Sequence, residues 1–142
     1  MQHPKAIGDR TTMAIMLALH AQGWTTYVPF GENTRCDLVV DYGRRLSRVQ
    51  CKTGRLRNGG VMFPTCSTYA HHGNPKQTRR TYEGDVDEFA VFCPELGSVY
   101  LIPIDDVPVT SRATLRIERT RNGQSRRIRP AAAYEIARLD LY

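Results

Sequence analysis

The sequence has no long apolar run. Its longest, Ala14-Ile15-Met16-Leu17-Ala18-Leu19, is six residues, against the roughly 18 that a membrane-spanning helix requires. The first residues lack the apolar stretch and small-residue cleavage site of a secretion signal. A cytosolic protein without membrane attachment is therefore expected. No repeat and no linker-like stretch divides the 142 residues. A chain of this length is expected to form one domain, residues 1–142, with a core that needs no metal or disulfide staple. Hydrophobic residues at 41% and charged residues at 24% lie near the globular average, which excludes a wholly disordered, collagenous or coiled-coil chain.

Cysteine is sparse and unpatterned. Cys36, Cys51, Cys66 and Cys93 form no C-x-x-C, so zinc-finger spacing is absent. Each lies in or beside an apolar stretch and reads as a small buried hydrophobe in a reducing compartment. The tandem His71-His72 has no nearby ligand partner and reads as a solvated loop rather than a metal site. Lysine is sparser still. Only Lys5, Lys52 and Lys76 occur among twenty basic residues. Arginine is the default cation here, so a lysine in a motif-like position carries information. Fourteen acidic residues leave a net charge of +6 and a pI near 9.4. That balance suits a polyanionic partner, usually nucleic acid, although a merely basic surface has the same composition.

Residues 4–22 read as a helix. Pro4 suits its first turn, and Ile7, Met13, Ala14, Leu17, Ala18 and Ala21 recur at three- and four-residue steps, widened by Ile15, Met16 and Leu19. Gly23 ends it. Strand signals follow at 24–30, 36–41, 46–53, 61–66, 87–93 and 98–104. The polar stretch 68–84 reads as a long loop. Residues 112–120 and 124–129 flank Arg121-Asn122-Gly123, a hairpin signal, and 131–139 reads as a short closing helix. The order implies an α/β or α+β domain.

One stretch carries chemistry. Arg35-Cys36-Asp37-Leu38-Val39-Val40 is followed by Gln50-Cys51-Lys52-Thr53-Gly54-Arg55. In a strand, Gln50 and Lys52 share a face while Val49 and Cys51 point to the other. A tight hairpin would bring Asp37 beside that pair. A carboxylate, an amide oxygen and a lysine around one point suit metal-assisted phosphodiester hydrolysis, because Mg²⁺ takes oxygen ligands and is often held by one or two carboxylates with substrate phosphates completing its shell. A solvated strand face yields the same pattern, and spacing alone does not separate the two.

From about residue 3 to 104 the sequence resembles the PD-(D/E)xK nuclease superfamily. It is similar in particular to the small family of group I intron-encoded homing endonucleases of cyanobacterial type and related bacterial proteins. The matching residues are Lys5-Ala6-Ile7-Gly8-Asp9, Val28-Pro29-Phe30-Gly31, Arg35 to Val39, Arg48 to Arg55, Phe89 to Glu95 and Val99 to Pro103. The resemblance implies an α/β, restriction-endonuclease-like core with a mixed central β-sheet flanked by α-helices. It implies Asp37 as the metal-binding aspartate, and Gln50 in the place usually held by Glu or Asp. The backbone carbonyl of Cys51 would complete the protein ligands, and Lys52 would be the catalytic lysine. The implied cofactor is Mg²⁺ or Mn²⁺. The family usually places a Glu four residues after the helix-opening glycine; here that position is Thr12. Asp37 is then the only formal charge among the expected ligands. Asp9, one turn earlier, would substitute through a water, or phosphate oxygens would complete the site.

The cations divide into three groups. Arg55 and Arg57 lie just beyond Lys52. Lys76, Arg79 and Arg80 lie in the long loop, with Tyr69 and Tyr82 as stacking or packing partners. Arg119, Arg121, Arg126, Arg127 and Arg129 surround the Asn122-Gly123 turn. All three are expected to contact double-stranded DNA, with phosphate contacts setting a salt-dependent affinity. A charged edge hairpin that resists aggregation is the other reading of the third. Asp85 and Asp87 read as turn or cap residues rather than ligands. The expected function is a Mg²⁺-dependent DNA endonuclease, of homing type, acting as a dimer or tetramer because each chain carries one site. Two alternatives stand beside it: a degenerate DNA-binding protein on the same fold, and a structure-selective nuclease resembling Holliday-junction resolvases.

Overall fold

The computed structural model of this chain describes residues 3–70, 77–118 and 128–140. Helix α1 spans Pro4–Ala21. His3 caps it in the extended conformation that precedes a proline, its Nδ1 accepting from Lys5 N at 3.2 Å. Gly23 follows the C-cap at φ +84°, and Trp24 N closes back onto Leu19 O. The buried stripe is Thr11, Ala14, Ile15, Ala18 and Leu19. Met13 and Leu17, expected on that stripe, are 63% and 51% exposed. The helix lies on the sheet along one narrow seam, so its apolar circumference is wider than the surface it covers.

The strands are β1 Thr25–Tyr27, β2 Leu38–Asp41, β3 Leu46–Thr53, β4 Arg55–Arg57, β5 Gly60–Pro64, β6 Cys66–Ala70, β7 Gln77–Thr81, β8 Glu88–Cys93, β9 Ser98–Pro103, β10 Arg112–Arg116 and β11 Glu135–Arg138. Six form a mixed sheet in the order β1-β2-β3-β8-β9-β11. Only β3 and β8 run parallel; the other neighbours are antiparallel. Strand β8 is buried on both faces, as its apolar run predicts for a central strand. Ala90 and Phe92 pack with Leu38, Val40 and Val49 under α1. Phe89, Val91 and Cys93 pack on the opposite side with Val61, Phe63, Ala113 and Leu115. Those last residues belong to a second sheet, β10-β5-β4. A helix on one face and a small sheet on the other thus cover the central strands.

Two expectations are corrected. Residues 68–84 are not all loop. Strands β6 and β7 pair antiparallel from Cys66↔Thr81 to Ala70↔Gln77. The sequence there is polar on both faces, so it lacks the alternation that marks a half-buried strand. Residues 131–139 are not a helix. Ala131–Ala133 form one 3-10 turn and Glu135–Arg138 form β11 against β9. Local alanine propensity yields to the open edge of β9, whose backbone groups need partners. Strand β10, the first strand of the expected hairpin, pairs antiparallel with β5, and Arg116 bridges Pro130 in parallel. The turn of that expected hairpin lies outside the described residues. No helix among the described residues is long and apolar enough to cross a membrane.

The junction after β3 is tight. Gly54 N donates to Phe92 O at 2.8 Å. A Cβ on Gly54 would stand 2.6 Å from Val61 Cγ1 and 2.8 Å from Val91 Cγ1. Gly54→Ala is expected to destabilise the fold by about 1–3 kcal/mol, as overpacking does. A urea titration checks this, and an unchanged midpoint contradicts it.

Candidate active site

Asp37 lies one residue before β2, where the chain first meets β3. Its N–H donates to Val49 O at 2.8 Å, and its Oδ2 accepts from Cys51 N at 2.9 Å. A residue's N–H and C=O leave the same edge of a strand, so the Cys51 carbonyl also faces the Asp37 edge, beyond the start of β2. Burial pushes the Asp37 carboxyl above the ordinary aspartate value; the Cys51 N–H and the Lys52 charge oppose this.

Gln50 and Lys52 lie on the sheet face away from α1, as alternation along β3 requires. Gln50 is 9% exposed. Its Nε2 donates to Arg35 O at 2.6 Å, which fixes the amide's orientation and turns Oε1 to the other end. Lys52 Nζ donates to Tyr82 OH at 2.9 Å and sits 4.7 Å from the centroid of that ring. The Asp37 backbone, the Gln50 amide and the Lys52 ammonium are thus all fixed at the open end of the β2–β3 pair, away from its turn.

On the helix side, Thr12 is half-buried. Its Oγ1 donates to Gly8 O at 3.1 Å and the side chain also contacts the Cys51 thiol. Burial, then the Asp37 charge, pushes that thiol's pKa up. Thr11 and Thr53 join the helix to β3 through their hydroxyls at 2.6 Å. Asp9 is exposed. No group of three His, Cys, Asp or Glu side chains able to hold a metal occurs among the described residues. The groups that could hold a metal are the Asp37 carboxylate, the Gln50 amide oxygen and the Cys51 backbone carbonyl. These are hard oxygen donors, and they fit a Mg²⁺-type ion whose shell waters and substrate phosphates complete.

Beyond Lys52 the chain runs into β4, so Arg55 and Arg57 lie on a hairpin strand rather than in a loop. Asn58 at φ +49° and Gly59 at φ +77° make its turn. Both arginines, with Arg112 and Thr53, line a cleft of about 380 Å³ floored by Met62 and Pro64. Glu95 stands 4.0 Å from Arg55. Arg80 is 62% exposed and 3.9 Å from Asp85. Lys76, Arg119, Arg121, Arg126 and Arg127 lie outside the described residues, as do His71, His72 and the side chain of Arg79. Asp85 pairs with Arg35 and Asp87 with Arg48, each at 3.2 Å.

Two residues at the site have roles that no sequence spacing marks. Tyr82, 30 positions from Lys52, is read from sequence only as a loop aromatic. Arg35 stands two residues before Asp37, yet it holds both Gln50 and, as described below, Tyr82. Only the register of β2, β3 and the β6–β7 ribbon brings them together.

Comparisons with known proteins span nearly the whole chain. The family model of PD-(D/E)XK endonucleases matches residues 2–137. The solved structure of a bacterial homing endonuclease, I-Ssp6803I, superposes with a TM-score of 0.74 at 24% identity, covering 94% of this chain and 89% of that one. No curated protein matches the sequence. A mixed sheet covered by a helix on one face accords with that match over nearly the full length, and the chain belongs to the PD-(D/E)XK endonuclease family.

Proposed function

We propose that the chain is a divalent-metal-dependent DNA endonuclease that hydrolyses phosphodiester bonds at the Asp37–Gln50–Lys52 site. The observation that carries this reading is the convergence of a part-buried carboxylate, an oriented amide and an anchored ammonium at the end of β3. Asp37, the Gln50 Oε1 and the Cys51 carbonyl would hold the ion. When bound, it supplies charge neutralisation at the phosphate and a more acidic water. The Lys52 ammonium has three donors. One goes to Tyr82, and the others would orient the attacking water or a phosphate oxygen. Arg55, Arg57 and Arg112 would carry the DNA backbone along the adjoining cleft. One site per chain and two strands to cut support action as a homo-oligomer, a dimer or tetramer. The family match supports DNA as substrate; homing-type site specificity goes beyond the fold likeness and rests on the substrate test.

That test is cleavage of supercoiled plasmid, a randomised duplex library, single strands and a four-way junction in Mg²⁺, Mn²⁺ or EDTA. Metal-dependent cutting that EDTA stops is expected. One observation favours a second reading, a DNA-binding protein without cleavage: Thr12 ties its hydroxyl to Gly8 O where the family's helix carboxylate is missing. DNA binding that persists in EDTA with no cutting under any metal would replace the first reading with the second. Cutting confined to the four-way junction would make the enzyme structure-selective.

A further inference from the structure

We propose that Tyr82 is a positioning residue for Lys52, and that Arg35 holds it in place. This rests on the nuclease reading only for its effect on rate; the positioning itself is a property of the free protein. Tyr82 follows β7 and is 4% exposed. Its ring meets Phe89 edge-on at 5.7 Å. Its hydroxyl accepts from Lys52 Nζ at 2.9 Å, and the ring centroid is 4.7 Å from the same nitrogen. Lysine carries its charge on a flexible four-carbon stem. An ammonium that must act at one point therefore needs an anchor, and a hydroxyl edge joined to a π face supplies one.

Arg35 fixes the anchor. Its guanidinium carbon sits 4.1 Å from the Tyr82 centroid. Its three nitrogens are separately tied, Nη1 to Ser67 Oγ at 2.8 Å, Nη2 to Thr81 O at 2.7 Å and Nε to Asp85 Oδ2 at 3.2 Å. This planar fork cannot swing without breaking bonds to both strands of the ribbon. The backbone oxygen of the same residue takes the Gln50 amide. Arg35 thus sets Gln50 through its main chain and Lys52 through its side chain and Tyr82. The Asp85 carboxylate pairs with the Arg35 guanidinium and lies 3.9 Å from Arg80.

Tyr82→Phe removes one oxygen and keeps the ring, its packing on Phe89 and both cation contacts. The expected result is a fall in kcat of about tenfold to a hundredfold, the size of effect that a small misplacement of a reacting group produces. KM for DNA, affinity in EDTA and Tm stay at wild-type values. In a Lys52→Ala background, Tyr82→Phe is expected to cost nothing more, because both changes remove one interaction. A residue that merely fills the core would leave kcat unchanged in the Phe variant.

The second readout needs no cleavage. With only three lysines in the chain, selective ¹³C-lysine labelling resolves the Lys52 side-chain methylenes by NMR. Lys52 Cε is expected to be more ordered than that of exposed Lys5 in the wild type, and to lose that order in Tyr82→Phe. If the wild type cuts no DNA yet Lys52 loses order in Tyr82→Phe, the positioning stands and the nuclease reading falls. Lys52 as mobile as Lys5 in the wild type, or full kcat in Tyr82→Phe, overturns the proposal.

Discussion

Lys52→Ala is expected to lower DNA cleavage by at least 10²–10³-fold, the cost of removing one preorganised electrostatic donor from an active site. The magnitude follows from the site's sparse charge. Asp37 is its only carboxylate among the expected ligands, so the developing negative charge on the phosphate depends on the bound ion and on the Lys52 ammonium together. The variant is expected to fold. Lys52 is only half-buried, and its loss leaves Tyr82 packed on Phe89 and under Arg35. DNA affinity in EDTA should stay within a few-fold, because the arginines of the cleft are untouched. Single-turnover cleavage at saturating enzyme measures the chemical step directly. A rate within threefold of wild type would mean that Lys52 belongs to a basic strand face and not to the chemistry.

Thr12→Glu is expected to have the next largest effect, and in the opposite direction. Thr12 faces β3, where it touches the Cys51 side chain, which in turn lies within the field of Asp37. A carboxylate there would add a second charge to a site that has one. A close unit-charge pair is worth about 4 kcal/mol at an effective dielectric near 20, and desolvation of the glutamate offsets a large part of it. A net gain of roughly tenfold to a hundredfold in Mg²⁺ affinity follows. Without metal the new charge repels Asp37, so Tm in EDTA should fall. Saturating Mg²⁺ should then raise Tm more in the variant than in the wild type, by linkage. The Mg²⁺ dependence of Tm and of cleavage checks both parts. An unchanged Mg²⁺ requirement would show that this helix face does not look onto the ion.

Part of this site is legible in the sequence because it is local. The alternation Val49-Gln50-Cys51-Lys52 assigns faces within β3. The short gap to Asp37 requires an antiparallel return, observed as Leu38↔Val49 through Asp41↔Leu46. The apolar run of β8 marks a central strand. What is missed is non-local or two-sided. The β6–β7 ribbon has no apolar face to reveal it. The alanine run Ala131–Ala133 that suggests a helix makes only a 3-10 turn, and Glu135–Arg138 after it pairs with the edge of β9. Met13 and Leu17 match helical spacing, yet the sheet covers a narrower stripe than the sequence offers. The Tyr82–Lys52 contact spans 30 residues, with Arg35 bonded to both the ribbon and Gln50 beside it. The Thr12 departure is visible in sequence; its contact with Cys51 is not.

The central claim is that the end of β3 holds a divalent ion on Asp37. Anomalous diffraction from Mn²⁺-soaked crystals of the protein with duplex DNA tests it most directly. The predicted result is a Mn²⁺ peak about 2.0–2.2 Å from an Asp37 carboxylate oxygen, the range of hard-cation bonds, with the Gln50 Oε1 in the same shell and the peak lost in Asp37→Asn. DNA cleaved in those crystals with no metal at Asp37, or a peak held by other residues and unaffected by Asp37→Asn, would contradict it.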